Sequence, residues 1–574
     1  MKKLYKYLKP YMLFTVLAPL FMIGEVIADL LQPTFMSSII NEGIVNGDTR
    51  YILITCLKMI GVALLGVVGG LGNMYFSTKA GFGFAKDMRQ ALYEKVQSFS
   101  FANIDQFKTG SLVTRITNDV TQIQNAFTSC IRMMVRSPFL CIGGVIAIAA
   151  INMKLAMVVF FTLPILAVAI VCIMKKAHPL FRSMQEKLDR VNVVMQENLA
   201  GVRVIKAFGR SDYEKKRFRS ANNDMTDLGI KASSIMAVSF PLFNLIMNLC
   251  MIIVYWVGGN MVFEGELGTG DIMAFSNYVM QILMSLMSSS FMFLFLSRAG
   301  VSVQRVNEVL DTKSDIADGA YTNAKVTEGK VEFKDVMFRY PGQAGDPVLS
   351  GISFTAEPGE TVAILGSTGS GKSSLISLIP RLYDATKGEV LVDGRNVKDY
   401  TLDNLRGSIG IALQESVLFT GTIDENLRWG DENADQEYIE KCARVAQADG
   451  FVNARDEGYE TVLGQGGVNL SGGQKQRLCI ARALVKKPKI LILDDSTSAV
   501  DLTTEAEIQK GLREIMGHIT VFIIAQRISS VMDADKIIVM DNGVIADIGT
   551  HDELKQRCEV YREIVISQLG KEAA

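Results

Sequence analysis

Charged residues are scarce in this 574-residue sequence, and hydrophobic residues are abundant. Asp, Glu, Lys and Arg make up 21% of the chain, against 49% for the hydrophobic residues. A fully soluble globular chain rarely shows that balance. The length also exceeds a typical domain of about 100–150 residues. The composition therefore excludes a small soluble domain and requires long apolar segments.

Closely spaced cysteines and a signal-peptide cleavage site are also missing. The eight cysteines form no CxxC pair and mostly lie inside apolar segments, so we expect reduced packing residues. No small-residue cleavage site follows the lysine-rich residues 1–10, which favours a first membrane span over a removed signal peptide.

The small net charge of −1 hides an asymmetry between the two halves of the chain. Residues 1–320 contain 31 basic and 22 acidic residues, a net charge of +9, whereas residues 321–574 contain 28 and 38, a net charge of −10. A basic half suggests contact with a membrane surface. Nucleic acid is not an expected partner, because the basic residues are interleaved with long apolar runs.

Five charge-free stretches reach about the 18 residues that cross hydrocarbon. A sixth stretch is apolar apart from Glu25 and Asp29. We therefore predict six membrane-spanning helices, at residues 11–40, 59–78, 137–153, 155–174, 232–263 and 272–297.

Six spans place 28 of the 31 basic residues on one side and only Arg50, Lys58 and Lys154 on the other. The positive-inside rule then puts both termini in the cytoplasm of a multi-pass protein, as in a bacterial inner membrane. The long cytoplasmic connections favour helices that turn near residues 104–110 and 209–218, where they can dock on a cytosolic domain.

Glu25 and Asp29 are spaced i, i+4 and share one helix face, where each charge costs about 2.5–3.5 kcal/mol at mid-bilayer. A cavity for cationic amphipaths and a proton relay are two interpretations. We favour pairing with Arg132 or Arg136.

The methionine-rich residues 279–297 have two interpretations as well. They provide either an adaptable surface for substrates or, more commonly, a stripe that faces lipid or the protein core.

After residue 320, short β-branched runs such as TVAILG, KILILDD and TVFIIA alternate with helical segments. This alternation predicts an α/β domain with a mainly parallel sheet.

A phosphate-binding loop follows the strand TVAIL. Residues 366–373, GSTGSGKS, fit G-x-x-x-x-G-K-[ST] before a helix that begins near Ser374. The glycines let the backbone wrap around phosphates, Lys372 meets the β and γ phosphates, and Ser373 ligates magnesium. We therefore predict ATP and Mg²⁺ as cofactors. The predicted contacts come from Gly366, Ser367, Thr368, Gly369, Ser370, Gly371, Lys372, Ser373 and Ser374.

Two downstream motifs extend this pattern. The run ILILDD predicts a strand that ends at Asp494. The Asp494 carboxylate is placed to hold the coordination shell of the magnesium ion from the side opposite Ser373. The motif LSGGQ covers residues 470–474 and ends at Gln474. Ser471 can cap a helix, and Gly472 and Gly473 can expose their backbone amides to an anion.

Together these residues resemble the ATP-binding cassette transporters over the whole chain. The motif LSGGQKQR between a Walker A and a Walker B motif is highly specific. The resemblance implies that Tyr340 stacks on adenine, that Gln414 senses magnesium and the γ phosphate, and that Asp501 lies in a loop that reaches across a dimer. In the exporter type, each ATP lies between the Walker motifs of one subunit and the LSGGQ of the other.

Two residues depart from the family's pattern. Asp495 replaces the usual glutamate general base, which withdraws the carboxylate by one methylene, and a shift of about 1 Å can cost about a hundredfold in rate. Gln526 replaces the switch histidine; it can donate a hydrogen bond but cannot carry a charge or a transferable proton. The chain's three histidines lie elsewhere, at positions 178, 518 and 551.

The sequence therefore predicts an all-α six-helix transmembrane domain at residues 1–320 and an α/β P-loop nucleotide-binding domain at residues 321–574. We expect a half-transporter that exports hydrophobic or amphipathic compounds. It would work in a heterodimer, hydrolyse ATP poorly at its own site and complete its partner's site with LSGGQ. A slow homodimer is one alternative, and an ATP-gated channel or regulatory subunit is another.

Overall fold

The structure, a computed structural model, describes residues 2–342, 345–515 and 517–569. Its contacts divide the chain into two compact units, Met1–Lys95 with Gly110–Thr312, and Val96–Thr109 with Lys313–Ala574. The first unit is helical and the second combines helices with sheets, which confirms the predicted order of domains. The division follows Thr312 rather than residue 320, and the short segment Val96–Thr109 belongs to the second unit.

The apolar runs form long helices, because a helix satisfies the backbone polar groups within the segment that crosses a membrane. Single 3₁₀ turns at Lys2–Leu4 and Lys9–Tyr11 flank the first helix, and π-helical turns occur at Ile39–Ile44 and Arg115–Asp119. The described α-helices up to Asp311 are α1 (Tyr5–Leu8), α2 (Met12–Ser38), α3 (Thr49–Gln97), α4 (Phe101–Phe107), α5 (Thr109–Thr114), α6 (Val120–Ile151), α7 (Met153–Ala200), α8 (Val202–Ala207), α9 (Ser211–Phe263) and α10 (Thr269–Asp311).

Five helical segments of the described chain are long and apolar enough to cross a membrane. They correspond to the first five predicted spans and comprise Tyr5–Ile44, Thr49–Gln97, Thr109–Ile151, Met153–Ala200 and Ser211–Phe263. The sixth predicted span falls in α10, where the side chains of residues 289–298 lie outside the described residues. The sixth span therefore stays a prediction.

Close backbone contacts and buried hydrogen bonds hold the helices of the first unit together. A Cβ on Gly69 of α3 would lie 2.8 Å from the Glu25 amide nitrogen, so only glycine permits this approach to α2. Buried Tyr278 of α10 donates its hydroxyl to the Leu30 carbonyl at 2.5 Å. These contacts join α2 to both α3 and α10.

The second unit is built around a six-stranded sheet. The strands of this unit are β1 (Val331–Phe338), β2 (Leu349–Ala356), β3 (Thr361–Gly366), β4 (Lys387–Val392), β5 (Arg395–Asn396), β6 (Ile409–Ala412), β7 (Gly421–Thr422), β8 (Val462–Leu463), β9 (Ile490–Asp494), β10 (Thr520–Ile524), β11 (Lys536–Asp541) and β12 (Val544–Gly549). The six-stranded sheet has the order β12-β11-β3-β10-β9-β6 and is parallel throughout except for the β11–β12 pair. A second, antiparallel sheet has the order β2-β1-β4-β5, and β7 pairs with β8.

Helices cover the parallel sheet, whose central strands are almost continuously buried, as a sheet enclosed on both faces requires. Short 3₁₀ turns occur at Gly458–Glu460, Gln465–Gly467 and Ile528–Ser530. The α-helices of this part are α11 (Lys372–Ser377), α12 (Leu402–Gly407), α13 (Ile423–Arg428), α14 (Gln436–Val445), α15 (Asp449–Asn453), α16 (Gly472–Val485), α17 (Leu502–Ile515), α18 (His551–Arg557) and α19 (Glu559–Leu569).

The short helix α4 is part of the second unit and packs against Tyr383. Ser100 caps it in a capping box with Asn103, and Asp105 accepts a hydrogen bond of 2.7 Å from the Tyr383 hydroxyl. The Phe101 ring lies 6.1 Å from the Tyr383 ring. The connection near residues 104–110 thus lies mostly in the second unit, whereas the turn near residues 209–218 belongs to the first unit.

Candidate nucleotide-binding site

The predicted nucleotide residues follow four neighbouring parallel strands. The loop 366–373 leaves β3, Gln414 follows β6, Asp494 ends β9, and Gln526 follows β10. Because these strands are parallel and adjacent, their carboxyl ends meet at one edge of the sheet, where α/β folds bind ligands. Gln414 is exposed at this edge.

The phosphate-binding loop depends on glycine. Gly366, Gly369 and Gly371 have φ angles of 158°, 87° and 95°, which other residues rarely adopt. A Cβ on Gly366 would also lie 2.3 Å from the Met540 carbonyl oxygen. The loop can therefore curl tightly at the end of β3.

Lys372 folds back over this loop. Its Nζ donates to the carbonyl oxygens of Gly366 at 2.9 Å and Ser367 at 2.8 Å. Burial lowers the pKa of Lys372, while the carboxylates of Asp495 and Asp494 oppose that shift. The ammonium group thus lies against the loop at a position from which it can turn to a phosphate.

One buried hydroxyl of the loop suits a phosphate. Ser370 is 2% exposed, and its Oγ has no hydrogen-bond partner among the described residues. A buried polar group without a partner is costly, and phosphate oxygens are strong acceptors. The loop therefore fits a nucleotide phosphate by its donors as well as by its shape.

Ser373 and Asp494 form a pair of oxygen ligands. The Ser373 hydroxyl donates to Asp494 Oδ1 at 3.1 Å, and Asp494 is 6% exposed. Burial raises the pKa of Asp494, although the hydrogen bond from Ser373 lowers it. A hydroxyl and a carboxylate at this spacing fit Mg²⁺, which prefers oxygen ligands and binds together with substrate phosphates.

The two unusual residues are in direct contact. Gln526 Nε2 donates to Asp495 Oδ2 at 2.8 Å. Asp495 is 8% exposed, and its φ of 47° is one that aspartate tolerates better than most residues. Burial raises the pKa of Asp495, while Lys372 and Gln526 lower it. The amide therefore holds the carboxylate beside the phosphate-binding loop.

Tyr340 lies beside the start of α11. Its hydroxyl and the Ser374 hydroxyl are 2.9 Å apart and share a hydrogen bond. Its ring packs edge-on against Phe338, at 4.8 Å between centroids, and Tyr383, at 5.2 Å. The structure thus places Tyr340 next to the loop.

The LSGGQ segment forms the start of α16. Ser471 caps this helix, since its Oγ accepts from the Gln474 amide at 3.4 Å and Gln474 Oε1 accepts from the Ser471 amide at 3.0 Å. Ser471 and Gly472 are exposed. Among the described residues, no hydrogen bond or ion pair joins residues 471–474 to the loop 366–374 or to Asp494 and Asp495.

Asp501 is exposed and caps α17. Its carboxylate accepts from the amide of Thr504 at 3.0 Å and from the Thr504 hydroxyl at 2.9 Å. These hydrogen bonds lower the pKa of Asp501. Within one chain its contacts are therefore structural.

Two residues that motif reading missed connect the parts of the site. Gln476 joins α16 to the segment after β9 through Ser498 Oγ at 3.2 Å and the Ala499 amide at 3.0 Å. Glu505 is buried and accepts from Thr497 Oγ1 at 2.7 Å and Ser530 Oγ at 2.5 Å. A signal existed for Glu505, since it shares an apolar face of α17 with Ile508 and Leu512.

Glu25 and Asp29 of α2 both form ion pairs with Arg136 of α6. Arg136 donates to Glu25 Oε1 and, at 2.9 Å, to Asp29 Oδ2. Arg132 donates instead to the hydroxyls of Ser77 at 3.0 Å and Thr78 at 3.1 Å. The internal pairing favoured from sequence is therefore correct for Arg136, and the triad keeps a formal charge of −1.

Two protein-family models match the chain. The ABC transporter transmembrane region matches residues 15–286, and the ABC transporter model matches residues 349–498.

Similar proteins of known sequence or structure cover most of the chain. An uncharacterised ABC transporter ATP-binding protein of Bacillus subtilis, YfiB, is 41% identical over 574 residues, 100% of both chains. An ATP-dependent lipid A-core flippase of Aromatoleum aromaticum is 34% identical over 510 residues, 89% of this chain and 84% of the relative. The structure of a bacterial Atm1-family ABC exporter with ATP bound is 25% identical, covers 98% of both chains and has a TM-score of 0.77.

Proposed function

The chain belongs to the ABC transporters as an exporter half-transporter, and on that premise we propose that it is the weakly hydrolysing subunit of a heterodimer. ABC exporters use ATP to drive transport and act as dimers in a membrane. In the proposed dimer this chain binds ATP and Mg²⁺ at its own Walker motifs. Its LSGGQ segment completes a more active site on the partner.

The hydrogen bond between Asp495 and Gln526 is the observation that carries this proposal. The carboxylate is one methylene shorter than the family's glutamate, and the glutamine that holds it cannot take up or release a proton. Phosphoryl transfer depends on the placement of the attacking water and on electrostatic stabilisation. Both are weakened here, while the loop that binds phosphate keeps its full set of residues.

The chain's own residues divide the remaining tasks. Lys372 leaves the carbonyls of Gly366 and Ser367 to contact phosphate, and Ser373, Asp494 and Gln414 hold Mg²⁺. Tyr340 stacks on adenine. Residues 471–474 and Asp501 act on the nucleotide of the partner, which agrees with the exposure of Ser471 and Asp501.

We place the chain in a bacterial-type inner membrane with both termini and the ATPase domain in the cytoplasm, and we assign it hydrophobic or amphipathic substrates. The similarity to a lipid A-core flippase supports an amphipathic class. So do the exposed Met280 and Met284 on α10, since methionine adapts to varied shapes. Stimulation of ATP turnover by amphipathic compounds, but not by hydrophilic ones of equal charge, is the expected result; the reverse would overturn the substrate class.

The ATPase proposal is tested with the chain purified alone in lipid. Turnover of the wild type is compared with the Asp495→Glu, Gln526→His double variant, and Asp547→Glu serves as a control outside the site. We expect the double variant to be faster by about a hundredfold. Ordinary transporter rates in the wild type would contradict the heterodimer and favour a working homodimer.

The role of LSGGQ is tested without knowing the partner. Chains with the double change and Ser471→Arg are mixed with wild-type chains and reassembled. Homodimers of the chain with all three changes lack the serine of LSGGQ. Wild-type homodimers lack the Asp495→Glu and Gln526→His changes that restore the Walker site. Only the mixed dimer joins a repaired Walker site to an intact LSGGQ, so turnover above that of both parents is expected. No gain on mixing would show that the wild-type LSGGQ does not support hydrolysis.

A further inference from the structure

An apolar cavity of about 610 Å³ lies in the first unit beneath the N-terminal segment. We call it the N-terminal cavity. Leu4 and Leu8 form one wall, Phe84 of α3 and Phe127 and Met134 of α6 form others, and Val303 of α10 closes a further side. Leu4 and Phe84 are buried. Because the lining is apolar, a ligand here must present hydrocarbon.

The cavity follows the direction of the helices. Phe127 and Met134 are seven residues apart on α6, a distance of about 10 Å along the axis. The Tyr11 ring lies against Gly83 of α3, next to Phe84, so the end of the cavity that Phe84 lines is level with the start of α2. Given the predicted topology, this end is at the cytoplasmic surface of the membrane and Met134 lies deeper.

The N-terminal segment that lines one side of the cavity is rich in lysine. The first carboxylate of the sequence is Glu25, whereas residues 2–9 contain four lysines. Lys3 pairs with Asp311 at 2.7 Å, but within the described chain Lys6 and Lys9 have no carboxylate partner. Both are exposed, and their spacing of i, i+3 puts them on one face, away from Leu4 and Leu8. The segment is thus apolar towards the cavity and cationic outside.

We propose that the N-terminal cavity holds an acyl chain of an anionic phospholipid from the cytoplasmic leaflet, with its phosphate bound by Lys6 and Lys9. Charge complementarity selects this occupant, because basic amphipathic segments bind anionic lipids at that surface. Exposed Tyr5 at the rim suits the boundary between hydrocarbon and water. The lipid would fasten the N-terminal segment to α3, α6 and α10. This site is separate from the proposed nucleotide and export functions.

Quenching by brominated lipids tests the proposal on the full chain in vesicles. The reporter carries Trp256→Phe and Phe127→Trp; Trp429 lies in the second unit. Bromine is placed either on phosphatidylglycerol alone or on phosphatidylcholine alone, with the same overall lipid composition. In the wild type, Trp256 on α9 is 75% exposed and reports the surrounding lipid. It therefore supplies the reference ratio of quenching.

We compare the quenching by brominated phosphatidylglycerol with the quenching by brominated phosphatidylcholine. We expect the ratio of the first to the second to be much higher at the Phe127→Trp reporter than at Trp256. Lys6→Gln and Lys9→Gln each lower that preference by about fivefold, whereas Lys175→Gln, an exposed lysine of α7, leaves it unchanged. Cys130→Phe, which fills the cavity, reduces quenching by both lipids. Leu8→Trp on the opposite wall serves as a second reporter in case Phe127→Trp perturbs folding.

Two results would overturn the proposal. A ratio equal to that of Trp256 at both reporters would mean that no anionic lipid is selected. Absence of quenching by either lipid would mean that the partner subunit or a transported compound fills the cavity.

Discussion

Asp494 shows how the burial of a single carboxyl group can link the stability of the protein to the binding of a cation. It is buried at the end of β9, and burial raises its pKa, so the ionised carboxylate is unfavourable until a metal ion binds. At pH values between the ordinary pKa of an aspartate and the raised pKa of Asp494, the folded state therefore binds more protons than the unfolded state. Stability without ligand therefore falls as pH rises through that window.

We predict that Asp494→Asn raises the unfolding temperature of the nucleotide-free protein at neutral pH while it removes magnesium-dependent ATP turnover. The difference from the wild type should grow as pH rises through the window and stay constant above it. Thermal unfolding followed by circular dichroism checks this, with Asp456→Asn as an exposed control. A lower unfolding temperature at neutral pH would show that the Ser373 hydrogen bond and Lys372 outweigh burial.

The sequence motifs identified Asp495 and Gln526 separately, but they could not predict that the two side chains are in contact. They are 31 residues apart, and they meet because β9 and β10 pair in parallel. Glu505 was missed for a similar reason, since a carboxylate on a helix is usually solvated and only the fold shows Thr497 and Ser530 beside it. Residue identity predicts chemistry, whereas partners depend on tertiary packing.

Among the elements, the helices and strands were predictable and their spatial order was not. Alternating patterns indicated a mainly parallel sheet, but the order β12-β11-β3-β10-β9-β6 depends on crossovers that no local pattern encodes. The assignment of α4 to the second unit also depends on contacts made over a long separation, from Asp105 and Phe101 to Tyr383. Burial raises the pKa of Tyr383, and Asp105 adds to the shift, so this hydroxyl remains a donor.

We predict that Tyr383→Phe loosens α4 without disturbing the aromatic cluster around Tyr340. The substitution keeps the ring and removes only the hydrogen bond to a carboxylate, which contributes about 1.5–3 kcal/mol. Amide hydrogen exchange of residues 101–107 should become about tenfold faster or more, as measured by mass spectrometry. Tyr438→Phe, whose hydroxyl donates to Leu484 instead, is the matched control. Unchanged exchange would mean that the Phe101 ring contact alone holds the helix.

At the scale of the whole molecule, charge separates the two halves of the chain more clearly than any single motif. The first 320 residues carry +9 and the remainder −10. Apolar length predicted five spans that the described helices contain, because length and hydropathy are local properties. The substrate path could not be predicted, because it depends on how helices from two subunits assemble.

Topology follows from the same charge pattern and is the property of the whole chain that is most directly testable. Lys154, in the first turn of α7, and Glu266, in the connection between α9 and α10, form an ion pair of 3.2 Å on the side that the positive-inside rule places outside the cytoplasm. Lys206 on α8 is exposed on the opposite side of the predicted spans. In intact cells, a membrane-impermeant maleimide should label Glu266→Cys and spare Lys206→Cys, which it should reach only after permeabilisation. If Lys206→Cys were labelled in intact cells and Glu266→Cys were spared, the topology would be the reverse of the predicted one. The phosphate-binding loop would then have no access to cytoplasmic ATP.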